Sequence, residues 1–141
     1  MTMARVIFGN HTAVFAARSE QNRIRKFYCD VLGCKARVQT NEVDRFQLDD
    51  FHFVFVYQGT ALDESEFLKA IYLELKTDTV EEMKQKMLAF GVKAVDIPDP
   101  HFYFQAPGGQ VFKLVGINED LSVYEGSLSS RPGSPVSANQ G

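Results

Sequence analysis

The 141-residue chain has no tryptophan, two cysteines, and no apolar run near the roughly 20 residues that a membrane helix needs. Each shortage removes a class of protein. Cys29 and Cys34 lack a CxxC spacing, so they form neither a disulfide scaffold nor a zinc ribbon and read as reduced core residues. The opening MTMARVIFGN has no basic segment followed by an apolar one; a membrane association is not expected and a cytoplasmic location is. Net charge is −3, and the 15 Lys and Arg are scattered rather than gathered in a stripe, which argues against a nucleic-acid partner. What the chain has in excess is aromatic surface: 12 Phe and 5 Tyr, more than a small core of ordinary composition needs.

Two segments carry helical periodicity. Ile24, Phe27, Tyr28, Val31 and Leu32 fall at i, i+3, i+4, i+7 and i+8, which predicts a helix from about Glu20 to Leu32. Ser19 is its expected N-cap and Gly33 its left-handed end. Val80, Met83, Met87 and Phe90 predict a second helix, opened by a capping box of Thr79 and Glu82 and closed by Gly91. Each helix has one strand-like run before it and three after it.

A shift of 58 residues lays Gly33-Cys34-Lys35-Ala36 over Gly91-Val92-Lys93-Ala94, and Asp49-Asp50 over Gly108-Gly109 to within one residue. The chain therefore reads as α+β: two βαβββ modules, about 4–58 and 70–116, forming a curled mixed sheet in a single domain over 4–117. A polar connector is expected around Thr60–Glu66. The Ser/Gly/Pro-rich tail, 118–141, is expected to be mobile, with Leu121 and Tyr124 as its only anchor candidates.

The run RKFYCDVLGCKA resembles the FYxDVLG helix signature of the vicinal oxygen chelate superfamily, which contains glyoxalase I, extradiol dioxygenases, fosfomycin-resistance proteins and bleomycin-binding proteins. The later FQAPGGQVFKLV is similar to its DPDGxxxEL turn and last strand. The resemblance spans about residues 10–116 and implies paired modules whose open faces form one funnel, usually in a homodimer. In metal-dependent members, ligands occupy one position on the first strand and one on the last strand of each module. Here those positions are Ala13, Tyr72 and Lys113, with Phe55 (or Phe53) as the fourth by the 58-residue offset. None is an ordinary ligand, so the resemblance carries over no metal site and no cofactor is expected.

Strand alternation then assigns faces. Ile71, Leu73, Leu75, Val14, Phe112 and Leu114 are expected under the helices, as is His52. On the open face are expected His11, Ala13, Phe15, Tyr72, Glu74, Val111, Lys113 and an aromatic row of Phe51, Phe53, Phe55 and Tyr57. His101, after Pro100, reads as structural or exposed. Cys34 reads as a small core residue, with a funnel-facing thiol as the alternative.

Three readings remain open for the polar set. Glu74 forms a structural cluster with Lys113 or His11; it anchors an organic ligand; or Glu74 and His11 are a catalytic pair or a displaced metal site. The leading expectation is a metal-independent small-molecule-binding protein. Its apolar or aromatic ligand is lined by Phe15, Phe53, Phe55 and Tyr72, with Glu74, Lys113 and His11 as polar contacts. The alternative is an enzyme of the same superfamily, of lyase, isomerase or dioxygenase type, with a non-standard metal or acid–base site.

Overall fold

Strand β1 (His11–Phe15) begins the first of two four-stranded mixed sheets in the computed structural model, which describes residues 5, 7–57, 63–68 and 71–120. With β2 (Lys35–Gln39), β3 (Val43–Leu48) and β4 (Phe51–Val56) it forms the order β1-β4-β3-β2. The second sheet repeats that order with β5 (Tyr72–Thr77), β6 (Lys93–Ala94), β7 (Phe102–Gln105) and β8 (Val111–Gly116), as β5-β8-β7-β6. In each sheet the first strand runs parallel to the last, a pairing that needs a crossover, and a helix supplies it. The two βαβββ modules are thus present, as two sheets that are not closed. The tail beyond residue 120, with Leu121 and Tyr124, and part of the connector lie outside the described residues.

Helix α1 (Gln21–Lys26) follows a 3-10 turn at Arg18–Glu20 and widens into a π turn at Phe27–Val31. There the Leu32 N–H reaches the Phe27 carbonyl at 3.1 Å and the Cys34 N–H reaches that of Tyr28 at 2.8 Å. Phe27, Tyr28 and Val31 are all buried by this widened turn. Ser19 is not the N-cap: it lies inside the 3-10 turn, and Ala17 holds the extended position before it.

Thr79 does precede α3 (Val80–Phe90), but the expected capping box is not formed. Its backbone N–H donates instead to the Thr77 hydroxyl at 3.1 Å. The capping box occurs in the connector, where Asp63 and Glu66 exchange bonds of 3.0 and 3.1 Å and open the short helix α2 (Glu64–Phe67). No helix among the described residues is long and apolar enough to cross a membrane.

The helix-covered faces of the two sheets meet, and the aromatic excess goes there. Tyr28 packs on Phe55 (ring centroids 5.0 Å) and lies parallel to Phe46 at 5.7 Å; Phe53 meets Phe112 edge-on at 5.8 Å, and Phe27 meets Phe104 at 6.0 Å. These contacts join both modules in one apolar cluster that also holds Ile24 and Met87.

The assignment of the aromatic row to the open face is corrected by this packing. Phe53, Phe55 and Tyr57 are buried under α1, Phe51 packs against the same cluster, and His52 turns to the open side. The cause is a one-residue difference between the hairpins. Phe46 stands opposite Phe53, seven residues on, whereas its counterpart Phe104 stands opposite Phe112, eight residues on. Beyond the hairpin the repeat offset is therefore 59 rather than 58. With a side-chain period of two, that slip turns every β4 residue over.

The short hairpin closes through Asp49 at φ +55, a residue type that tolerates the left-handed region. The longer one uses Gly108 and Gly109 at φ +91 and +112; a Cβ on Gly109 would lie 2.8 Å from the Phe67 ring of α2.

Candidate functional site

Register places the site residues on two kinds of surface. On the open face of sheet one, His11 stands opposite His52, Ala13 opposite Val54, and Phe15 opposite Val56. Phe15 is 57% exposed and His11 is exposed. On the open face of sheet two, Tyr72 stands opposite Val111 and Glu74 opposite Lys113. Tyr72 and Glu74 are exposed, while Val111 and Lys113 are buried. Ile71, expected under the helices, precedes β5 and is 62% exposed. His11 and Glu74 lie on the edge strands of different sheets, and no hydrogen bond or ion pair joins them among the described residues. No contact among the described residues thus supports the acid–base pair considered from sequence.

A cavity of about 620 Å³ lies on the other side of the sheets, between the modules. Val31 and Leu32 at the end of α1, Phe51 and Phe53 of β4, Leu73 and Leu75 of β5, Met83 and Met87 of α3, and Phe112 and Leu114 of β8 form its apolar wall. Asp49, Glu74 and Lys76, all exposed, are the charged residues bordering it. Of the residues selected from sequence, it joins Phe53 and Glu74. The stripe Met83-Met87 and the alternating Leu73-Leu75 were legible as core positions. That the two modules leave a gap between them was not, because it depends on how they pack.

The carboxylate paired with Lys113 is Asp99, at 3.5 Å, rather than its register neighbour Glu74. Lys113 also lies over the Tyr103 ring, 5.9 Å from its centroid, and the Tyr72 ring meets Tyr103 edge-on at 5.3 Å. Asp99 accepts from the Tyr103 hydroxyl at 2.9 Å and from the His101 backbone N–H at 3.0 Å. The His101 ring bridges Asp99, at 2.7 Å, and Glu119. Sequence reasoning missed this network; its only signal was the Asp99-Pro100-His101 turn. His101, expected to be structural or exposed, has its side chain only 13% exposed within this network.

The network sets a pH dependence. Burial alone would raise the Asp99 carboxyl, but the bonds from His101 and Tyr103, with the Lys113 charge, hold it well below the usual range. Glu119 is lowered by the Gly116 N–H and then by His101. His101 is raised, first by its bond to Asp99 and also, against burial, by Glu119. The carboxylates thus contribute stability above their ordinary values of 3.8 and 4.5 and lose it as pH falls through their depressed ones. The imidazolium contributes fully below 6.5 and loses it as pH rises through its raised value. Thermal melts should show wild type less stable at pH 8.5 than at about pH 5.5 by a margin that His101→Gln abolishes; equal pH profiles would refute the linkage.

The implied metal positions can be tested on their chemistry. With the corrected register the fourth position is Val54, so by the repeat the set is Ala13, Val54, Tyr72 and Lys113, although Glu74 rather than Tyr72 stands opposite Lys113. A methyl and an isopropyl group have no lone pair, and the buried ammonium repels a cation. These residues do not fit a divalent ion, and among the described residues no group of three or more His, Cys, Asp or Glu is disposed to hold one. Cys34 offers no nucleophile: burial first, and then Cys29, push its thiol up to about 12.

A family model described as the Glyoxalase/Bleomycin resistance protein/Dioxygenase superfamily matches residues 10–108. The fold is similar to a glyoxalase family protein from Bacillus anthracis (18% identity, TM-score 0.62, 79% of this chain and 97% of that one). It is also similar to the fosfomycin resistance protein FosX of Listeria monocytogenes, in a structure with Mn(II) and 1S,2S-dihydroxypropylphosphonic acid (12%, TM-score 0.64, 78% and 90%). A third is an integron cassette protein from V. cholerae (17%, TM-score 0.60, 83% and 100%). No curated protein matches the sequence. At these identities the solved structures establish the fold.

Proposed function

Because the chain belongs to the Glyoxalase/Bleomycin resistance protein/Dioxygenase superfamily, we propose that it is a cytoplasmic, homodimeric small-molecule-binding protein that holds an apolar or aromatic ligand without a resident metal. The cavity between the modules carries this reading. Its volume of about 620 Å³ lies within the range of drug-sized sites, and apolar walls with a few charged residues at the border are what such a ligand needs. The solved FosX relative holds Mn(II). Here the corresponding positions offer no ordinary ligand, and His11 and Glu74 stand apart, so binding is favoured over a displaced metal or acid–base centre. Support for a second copy comes from the edge of β5, which no other described strand pairs beyond β8 and beside which Ile71 is 62% and Tyr72 49% exposed.

The neutral apolar fluorophore N-phenyl-1-naphthylamine is the probe. It should bind wild type saturably, and Leu75→Trp, which fills the cavity from β5, should weaken it at least about tenfold while the circular dichroism spectrum stays that of the folded wild type. Unchanged affinity in that variant would remove the site. Metal analysis of the purified protein tests the enzyme alternative: a stoichiometric divalent ion, lost in His11→Ala or Glu74→Ala, would reverse the metal-free reading.

A further inference from the structure

The open face of sheet one, which the resemblance makes a wall of the funnel and on which the sequence placed His11 and Phe15 as ligand contacts, carries a concentration of positive charge that this assignment did not use. Four residues stand side by side across it, one from each strand: His11, His52, Gln47 and Lys35. Arg45 lies in the next row, and Arg37 occupies the bulge between Ala36 and Val38. Arg45 Nε donates to His52 Nδ1 at 3.0 Å, and Arg37 Nε donates to Gln47 Oε1 at 2.6 Å. Each guanidinium is therefore held through its Nε, leaving its Nη edge without a bond to another described residue. By accepting at Nδ1, His52 carries its proton on Nε2, so it too presents a donor.

This face has cations but no carboxylate among its strand residues. The one acid in β1 to β4, Asp44, is buried on the opposite side with Arg25 and Tyr57; Asp49 and Asp50 stand at the hairpin turn. The same sign acts on His52, whose pKa is lowered by burial first and then by Arg45, Arg37 and His11. In a chain of net charge −3, that segregation is not a general property of its surface.

The same face is apolar further along. From the His11 row, Ala13 and Val54 give a shallow track, and Phe15 with Val56 ends it about 13 Å away, four strand residues on. We propose that this face binds the oxyanion of a small organic anion, a carboxylate or phosphate, through Arg45, His52, Arg37 and Lys35, with its apolar body along Ala13 and Val54 toward Phe15. The site lies on the opposite side of the sheet from the inter-module cavity and does not depend on it. Arg supplies the paired donors that a planar or tetrahedral oxyanion accepts.

Side-chain NMR of Arg Nε–H and His ring signals, titrated with 4-phenylbutyrate, phenyl phosphate and the neutral 4-phenylbutanol, tests this. One or both anions should shift the Arg45 and His52 signals saturably, the tighter of the two identifying the head group, while the alcohol leaves them unmoved. Affinity should fall about tenfold in Arg45→Met and severalfold in the exposed Lys35→Gln, which keeps the assay interpretable if the first variant is unstable. It should be unchanged in the cavity variant Leu75→Trp. No saturable shift, an equal response to the alcohol, or undiminished binding in both charge variants would overturn the proposal.

Discussion

Replacing Asp44 by Ala is expected to lower stability by about 3–5 kcal/mol, the scale on which a buried ion pair responds to loss of one partner. Asp44 is fully buried and accepts three bonds: from Arg25 Nε at 2.9 Å, Arg25 Nη2 at 3.0 Å and the Tyr57 hydroxyl at 2.8 Å. The fork–fork geometry ties α1 to β3, and Tyr57 ties the end of β4 to both. The coupling extends to proton affinity. Arg25 is raised first by its bond to Asp44, and Tyr57 is raised by burial and then by the same carboxylate. Truncation would leave a guanidinium, 30% exposed, and a buried phenol facing an empty space. Urea denaturation of Asp44→Ala, Arg25→Met and the double variant measures it; a loss below about 1 kcal/mol, or strict additivity, would show that the network is not a unit.

Phe53→Ala should be comparably severe, about 3–5 kcal/mol, while its neighbour Val54→Thr should change stability by less than about 1 kcal/mol. Phe53 is 5% exposed and packs on Tyr28 and Phe112, so its removal breaks the aromatic join between the modules. Val54 is half-buried and looks the other way, opposite Ala13. The two substitutions read the face of β4 directly. A tolerated Phe53→Ala with a damaging Val54→Thr would restore the orientation expected from the 58-residue offset. Equal, small effects would mean that neither face is packed as described.

Much of the fold was legible because its signals are local. The 3.6-residue stripes of Ile24-Phe27-Tyr28 and Val80-Met83-Met87 lie on the helices that form, and Gly33 and Gly91 end them. The faces of β5 and β8 also follow from alternation, since Leu73, Leu75, Phe112 and Leu114 pack into the core or against it. The candidate site was legible in part. Phe53 and Glu74 border the cavity, and His11 and Phe15 lie on the open face of sheet one, but Phe55 is core and Lys113 belongs to the Asp99 network. The caps at Ser19 and Thr79 failed because a hydroxyl at the right spacing caps only if the backbone there is extended, and Ser19 is already turning while Thr79 bonds to Thr77.

The sequence by itself determined a duplicated βαβββ unit, its helices, its family and its lack of ordinary ligands at the expected positions, since repeats, periodicity and donor chemistry are properties of residues and their spacing. Only the tertiary structure decided which way β4 faces, that the aromatic residues join the modules, and where an apolar cavity and a cationic face lie. One extra residue in a hairpin reverses a strand of period two, and the partners of Asp44, Phe53 and Lys113 come from strands and helices whose approach no local pattern encodes.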